Sequence, residues 1–190
     1  MGLSIYYSGS LRNENQLDEL IEEVTEICNT LQWAPHYLSK NDENGMKGMC
    51  FAPEGCEPVF LSFLPGGRLC SPTNLQFSDM YDGIQFEKEL MYTTATKTQY
   101  AGPEAHIAVI NLLKYVSEKY LKDFVLMDEG NYWETGDEQI LYKQFEKYNM
   151  LLDLVADALG SMQEDANETP VSLVERLEKI LNEKLKGNRD

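Results

Sequence analysis

Carboxylates and aromatic residues are concentrated in one stretch, DEGNYWETGDEQ, at positions 128–139. Carboxylate oxygens are the ligands that Mg²⁺ and Ca²⁺ prefer, so Asp128, Glu129, Glu134 and Asp137 are candidates for a metal site. Their spacing does not fit an EF-hand loop, which needs acidic residues at alternate positions and a glycine at the sixth. We therefore predict no metal and no cofactor here, and we expect Asp137 to cap the helix that follows.

A second group of polar residues lies near the helix that is predicted at 103–121, before this stretch. Lys97, Gln99 and Tyr100 lie at the end of the strand before that helix, and Glu129 lies at the end of the strand after it. In a β-α-β unit the two strands run parallel, and the helix begins at the edge where the first strand ends. Open sheets bind ligands at that edge. If the strands are parallel, these residues converge with His106 on one binding edge.

His106 is the candidate general base at this edge. It lies in the first turn of the helix, on the side that faces the sheet, where the positive end of the helix dipole favours the neutral imidazole. A neutral imidazole can accept a proton, and Glu129 or Glu134 would orient it or hold a divalent ion. The alternative is a structural histidine whose ring is satisfied by one backbone or carboxylate hydrogen bond.

Other side chains suggest a binding role without catalysis. Tyr132 and Trp133 would form the walls of a polar pocket. If the first half of the chain repeats the β-α-β pattern of the second, Arg12 is the nearest cation for an anionic ligand at the counterpart position there. The alternatives are that Trp133 packs at the rim of the core and that Lys97 pairs with a carboxylate at the end of the next strand.

Common catalytic motifs are absent from the sequence. It contains no GxGxxG, no phosphate-binding loop ending in Lys-Ser or Lys-Thr, no HExxH and no GxSxG. Only two histidines are present, His36 and His106, so one chain cannot build a site with several histidine ligands. These absences lower the expectation of a common hydrolase, nucleotide enzyme or zinc protein.

The first half of the chain is predicted to contain several strands and one clear helix. A strand is predicted at 3–8, and apolar residues at three-four spacing predict a helix over 16–32. HYLSK and MKGMCFA have weaker strand patterns. Residues 73–90 are poorly patterned, so we expect a mobile connection there.

A β-hairpin is predicted around Pro65-Gly66-Gly67, between two apolar arms. A Gly-Gly loop places Cys70 opposite Phe63, and a Pro-Gly turn places it opposite Leu61. Neither register pairs Cys70 with Cys56, so the hairpin does not support a disulfide.

The second half of the chain alternates strands with longer helices. The pattern predicts a strand at 91–101 that is either an edge or the floor of a wet cleft, and a buried strand in DFVLMDEG. Pro103 at a first turn and Asp137 as a cap mark the starts of two helices. The predicted segments are helices at 103–121 and 137–160, a loop at 163–170, a helix that starts with Thr169 and Pro170, and a frayed tail at 187–190.

This order of elements predicts the α+β class, with helices packed on a mixed sheet and two helices at the C-terminal end. The segments SIYYSG to HYLS and KTQYAG to FVLMDE have a similar pattern, which predicts two loosely duplicated β-α-β units. We expect a single domain over residues 1–190.

Charge and cysteine usage restrict the partners and the compartment. Against 16 basic residues there are 32 acidic ones, which gives a net charge of −16, so nucleic-acid binding is not expected. No apolar run is long enough to span a bilayer. The sequence has no CxxC and no signal peptide, so we expect a cytoplasmic protein.

Three segments together, SIYYSGSL, TKTQYAGPEAHIAV and DEGNYWETGDE, resemble a bacterial family of uncharacterised proteins. The resemblance spans most of residues 2–150. It implies no activity, cofactor or site residue.

Three functional hypotheses follow from the sequence. The first is a protein that binds a small molecule or a protein partner, with a homodimer through the last helix as one alternative. The second is a small enzyme with a histidine–carboxylate site at the sheet edge. The third is an acidic inhibitor of the immunity type or a nucleic-acid mimic, which requires a contiguous acidic face.

Overall fold

The computed structural model describes residues 2–38, 45–80 and 92–160, together with five helical positions between 174 and 180. Within these ranges the elements are β1 (Ser4–Leu11), a short 3-10 helix (Glu14–Gln16), α1 (Leu17–Thr30), β2 (Ala34–Leu38), β3 (Lys47–Ala52), β4 (Val59–Phe63), α2 (Pro72–Met80), β5 (Thr94–Lys97), α3 (Pro103–Tyr120), β6 (Leu121–Asp128), α4 (Tyr132–Thr135) and α5 (Glu138–Gly160).

The chain divides into two compact units, residues 1–142 and residues 143–190. All the described strands lie in the first unit. The single domain expected over residues 1–190 stays a prediction. The loop at 163–170 and the tail at 187–190 lie outside the described residues, as does most of the last predicted helix.

The first sheet has the strand order β5-β1-β6. Both outer strands are antiparallel to β1, so β5 and β6 run in the same direction on either side of it. α3 connects them and begins at the end of β5, with Gly102 at its N-cap and Pro103 in its first turn. β5 is the described part of the strand predicted at 91–101, and it lies at an edge of the sheet, which is one of the two expectations for that strand.

The second sheet has the order β2-β3-β4, and all its pairs are antiparallel. Backbone bonds connect it to β1, because the amide of Leu69 donates to Gly9 at 3.0 Å and the amide of Leu11 donates to Gly67 at 2.8 Å. The buried phenol of Tyr7 adds a link by donating to the carbonyl of Phe60 and accepting from its amide, both at 2.9 Å.

The core combines alternate residues of β1 with the apolar faces of two helices and of the second sheet. Leu20, Val24 and Cys28 contribute from α1, and Val109, Leu113 and Val116 from α3. These positions are the three-four stripes that the sequence shows, so the helices form where a continuous apolar face can be buried.

The α+β class is confirmed, but the predicted single mixed sheet is wrong. Two antiparallel sheets are present instead. The predicted duplication also fails, because β1 and β2 lie in different sheets and cannot form a β-α-β unit. β5 and β6 occupy both sides of β1, which leaves β2 to pair with β3.

Both predicted registers of the hairpin are wrong. Gly67 donates to Leu64, and Leu64 donates to Arg68, each at 2.9 Å, so the loop contains three residues. Gly66 and Gly67 both have positive φ, which glycine adopts without strain. The extra loop residue places Cys70 opposite Ser62. The four cysteines all lie in the described residues and form no disulfide.

α2 is a helix that the sequence pattern did not predict, in the first part of the region expected to be a mobile connection. It has no clear apolar stripe, so periodicity gives no signal there. Residues 81–91 lie outside the described ranges. Among the helices that the structure describes, none is long and apolar enough to cross a membrane.

Candidate functional site

One edge of the first sheet brings together most of the residues that the sequence singled out. β1 begins there, and β5 and β6 end there, with Ser4 opposite Lys97 and Ile5 opposite Asp128. The expected parallel direction of β5 and β6 is present, although β1 lies between them. We call this the binding edge, and define it by Gly2, Ser4, Lys97, Gln99, Tyr100 and Glu129.

His106 lies beneath this edge and is fully buried, at 0% exposure. Its Nδ1 lies 2.7 Å from the hydroxyl oxygen of Thr98, and its Nε2 lies 2.9 Å from Oδ1 of Asp128. The ring thus joins β5 and β6 through α3. Both ring nitrogens face protein groups, which is the arrangement of a structural histidine.

Asp128 organises the turn after β6. Its Oδ1 accepts from the amide of Gly130 at 2.7 Å, and its Oδ2 accepts from the amides of Tyr132 at 2.7 Å and Trp133 at 3.0 Å. Burial acts to raise the pKa of Asp128, but His106 and the backbone amides outweigh it, so the pKa lies below its ordinary value. Asp128 is therefore an ionised structural carboxylate.

Gly130 closes the space around the histidine ring. A Cβ atom at this position would lie 2.5 Å from Cδ1 of Leu141, 2.9 Å from Nε2 of His106 and 3.0 Å from Oδ1 of Asp128. Such distances leave no room for a substrate beside Nε2. His106 therefore has no described access to a reacting group from this side.

Glu129 and Glu134 do not serve as the expected partners of His106. The carboxylate of Glu129 accepts from the amide of Ser4 at 2.8 Å, while its own amide donates to the carbonyl of Ser4 at 3.2 Å. Glu129 thus completes the β1–β6 pairing at the edge. Glu134 is exposed on α4. The carboxylate that contacts His106 is instead that of Asp128.

Gln99 is the unusual member of the binding edge. It is only 4% exposed, and neither its Oε1 nor its Nε2 has a hydrogen-bond partner within the described part of the chain. Buried amides are almost always paired, because an unpaired one loses its bonds to water. The carboxamide of Gln99 therefore has hydrogen-bonding capacity that the described residues do not use.

Lys97 and Gln99 converge over Gly2. A Cβ atom on Gly2 would lie 2.4 Å from Oε1 of Gln99 and 2.8 Å from Nζ of Lys97, so the ends of both side chains occupy space that a larger residue would need. Nζ of Lys97 also lies 5.4 Å from the centre of the Tyr100 ring, which is 68% exposed. Tyr100 therefore forms the solvent-facing side of this cluster.

Tyr132 and Trp133 are placed in α4, where both rings pack against the core. The Trp133 ring meets Phe124 edge to face at 5.9 Å. This position agrees with the alternative that Trp133 lies at the core rim, and the predicted pocket walls stay a prediction.

Arg12 lies at the opposite end of the first sheet. Its Nε donates to the carbonyl of Leu121 at 2.6 Å, at the C-terminal end of α3, where a cation complements the helix dipole. The sequence grouped Arg12 with the ligand site only through the duplicated unit, which does not exist. The residue is therefore placed away from the binding edge.

Sequence reasoning missed three residues that shape this region: Gly2, Thr98 and Gly130. Thr98 lies within the strand predicted at 91–101, and its hydroxyl contacts His106 in the first turn of the next helix. The two glycines carry no motif. Their importance arises from close approaches that only packing creates.

A separate cleft of about 290 Å³ lies between the start of α1 and the hairpin tip. Glu14, Asn15, Lys47 and Pro65 are among its lining residues. None of the predicted site residues lines it. Among the described residues there is also no group of three histidine, cysteine or acidic side chains that could hold a metal ion.

Comparison with known proteins gives no relative: no family model matches the chain, and no curated protein or solved structure is significantly similar to it. The resemblance to a bacterial family stays a prediction. Functional inference therefore depends on the geometry of the chain itself.

Proposed function

We propose that this protein binds a small polar ligand at the binding edge. The observation that carries the proposal is Gln99, whose carboxamide is buried without a described partner beside Lys97. A buried amide without hydrogen bonds costs free energy, and a ligand that supplies those bonds recovers it. We also propose a cytoplasmic location, which the sequence favours.

Catalysis by His106 receives less support. The ring is fully buried, both nitrogens lie against Thr98 and Asp128, and Gly130 closes the approach to Nε2. A general base must reach the proton that it removes, directly or through one water. We therefore favour binding over acid–base chemistry at this edge.

The acidic-inhibitor hypothesis requires a contiguous acidic face. On α1, Glu23 bonds to Lys119 of α3, and Glu19 lies 3.4 Å from the same ammonium group. Hydrogen bonds from Lys119 and Tyr115 lower the pKa of Glu23 to about 2. These pairs neutralise part of the acidic surface of α1, so this hypothesis is not our first choice.

A fragment screen by ¹H–¹⁵N NMR tests the proposal. Compounds that bind at the edge should shift the amides of Ser4, Lys97 and Tyr100, and should lose affinity for the Gln99→Met variant. Gln139→Met is the matched control, because Gln139 is exposed at the start of α5. Fragments that bind both variants as tightly as the unchanged protein would refute a site at Gln99.

A further inference from the structure

Resting on the proposed binding edge, we infer that its ligand is an uncharged molecule that presents a primary amide or a lactam to Gln99. The inference uses the hydrogen-bonding pattern of Gln99, the charges around it and the chemistry of the neighbouring side chains.

The hydrogen-bonding pattern excludes most single functional groups. The carboxamide of Gln99 offers one acceptor, Oε1, and donors on Nε2, and all are without a described partner. A primary amide or a lactam supplies an N–H and a C=O on the same side, so it can form two parallel bonds with a carboxamide. The same geometry lets glutamine recognise the edge of a nucleobase. A carboxylate lacks the donor, and an amidinium lacks the acceptor.

The charges at the edge favour a neutral ligand. A carboxylate of Glu57 accepts from the amide of Lys97 at 3.1 Å, and that of Glu129 accepts from Ser4. Together with the net charge of −16, these groups oppose the approach of an anion. The same charges attract a cation at long range, but close to Oε1 of Gln99 the ammonium group of Lys97 opposes one. An uncharged amide avoids both penalties.

The neighbouring side chains add selectivity for this group. The amide carbonyl would accept from Nε2 of Gln99. The amide N–H would donate to Oε1 of Gln99. The exposed Tyr100 ring offers a flat surface on which a planar ligand can pack.

Three probes of equal shape test the ligand class: benzamide, benzoate and benzamidine. NMR titration of the full-length protein should show benzamide binding about tenfold more tightly than either charged analogue, since each of these breaks one of the two bonds. For the lactam, 2-pyridone should bind about tenfold more tightly than N-methyl-2-pyridone, which lacks the N–H.

Two variants identify the partner of the amide. Gln99→Met should abolish the preference for benzamide, and Gln99→Glu should transfer it to benzamidine, whereas Gln139→Met should bind all probes as the unchanged protein does. If benzoate or benzamidine binds as tightly as benzamide in a manner that depends on Gln99, the ligand class is wrong and the binding edge stands. If no probe and no screened fragment depends on Gln99, the proposed function fails as well.

Discussion

The buried carboxamide of Gln99 has opposite effects on the stability of the fold and on ligand affinity. This carboxamide has no partner among the described residues, which costs stability. In a ligand complex the same group would provide both specificity and affinity. Residues that sacrifice stability in this way are typical of binding sites.

We expect Gln99→Met to stabilise the unliganded protein. Methionine has a similar length and needs no hydrogen bond, so the free energy of unfolding should rise by about 1 kcal/mol. Urea denaturation with an unchanged slope measures the difference. Gln139→Met, at an exposed helical position, should change it by less than about 0.5 kcal/mol. A loss of stability in Gln99→Met would mean that the carboxamide is already satisfied.

Gly130→Ala tests whether the space beside Nε2 of His106 is closed. The added Cβ would approach Leu141, His106 and Asp128 within 3.0 Å, so the variant should lose about 1–3 kcal/mol through overpacking. Gly160→Ala is the control, because a Cβ there meets nothing within 4 Å. Equal melting temperatures for the two variants would show that the space beside Nε2 is open.

At the scale of elements, the short helix α4 depends on a residue outside itself. Four residues cannot form a stable helix alone. Asp128 accepts the amides of Tyr132 and Trp133, two of the orphan donors at the start of α4. The same carboxylate contacts His106 of α3, so one side chain fixes the positions of two helices at the end of β6.

Asp128→Asn should therefore destabilise the protein in a manner that depends on pH. The pKa of Asp128 is lowered in the fold, so its ionised form contributes stability that is fully present above the ordinary pKa of about 3.9 and is lost as the pH falls below it. We expect a deficit of about 1–3 kcal/mol at pH 7 that shrinks towards pH 3. Urea denaturation at several pH values measures it. A deficit that is constant over this range would contradict the role of the charge.

At the scale of the whole molecule, β1 joins the two sheets. It pairs with β5 and β6, and it bonds through Gly9 and Leu11 to the segment that follows β4. Shared backbone pairing makes the sheets of unit 1–142 mutually dependent. We therefore expect them to unfold in a single transition.

A chain that ends at Met162 should keep this transition. Both sheets, α1 and α3 lie within residues 1–142, so the main core remains after removal of residues 163–190. Circular dichroism and light scattering measure folding and mass. Loss of the cooperative transition would show that the first unit depends on the removed segment. An unchanged oligomeric state in a folded, shortened chain would refute a dimer through the last helix.

The sequence by itself determined the α+β class, the long helices and the edge at which β5 and β6 end, because periodic apolar residues and capping residues act locally. Asp137 accepts a hydrogen bond from the amide of Gln139 at 2.8 Å, as expected for the residue that caps the helix. Strand partners were not determined in this way. β2 could have paired with β1, but in the structure β5 and β6 occupy both sides of β1.

The details of the site required the tertiary structure for the same reason. Sequence patterns show that Lys97 and Gln99 lie at the end of a strand and that His106 lies in the first turn of a helix, but not which partner each one meets. Asp128 rather than Glu129 reaches His106, and no described group reaches Gln99. Hydrogen bonding and close packing at Gly2 and Gly130 depend on differences in distance of a few tenths of an ångström. Such distances are set when the elements pack together.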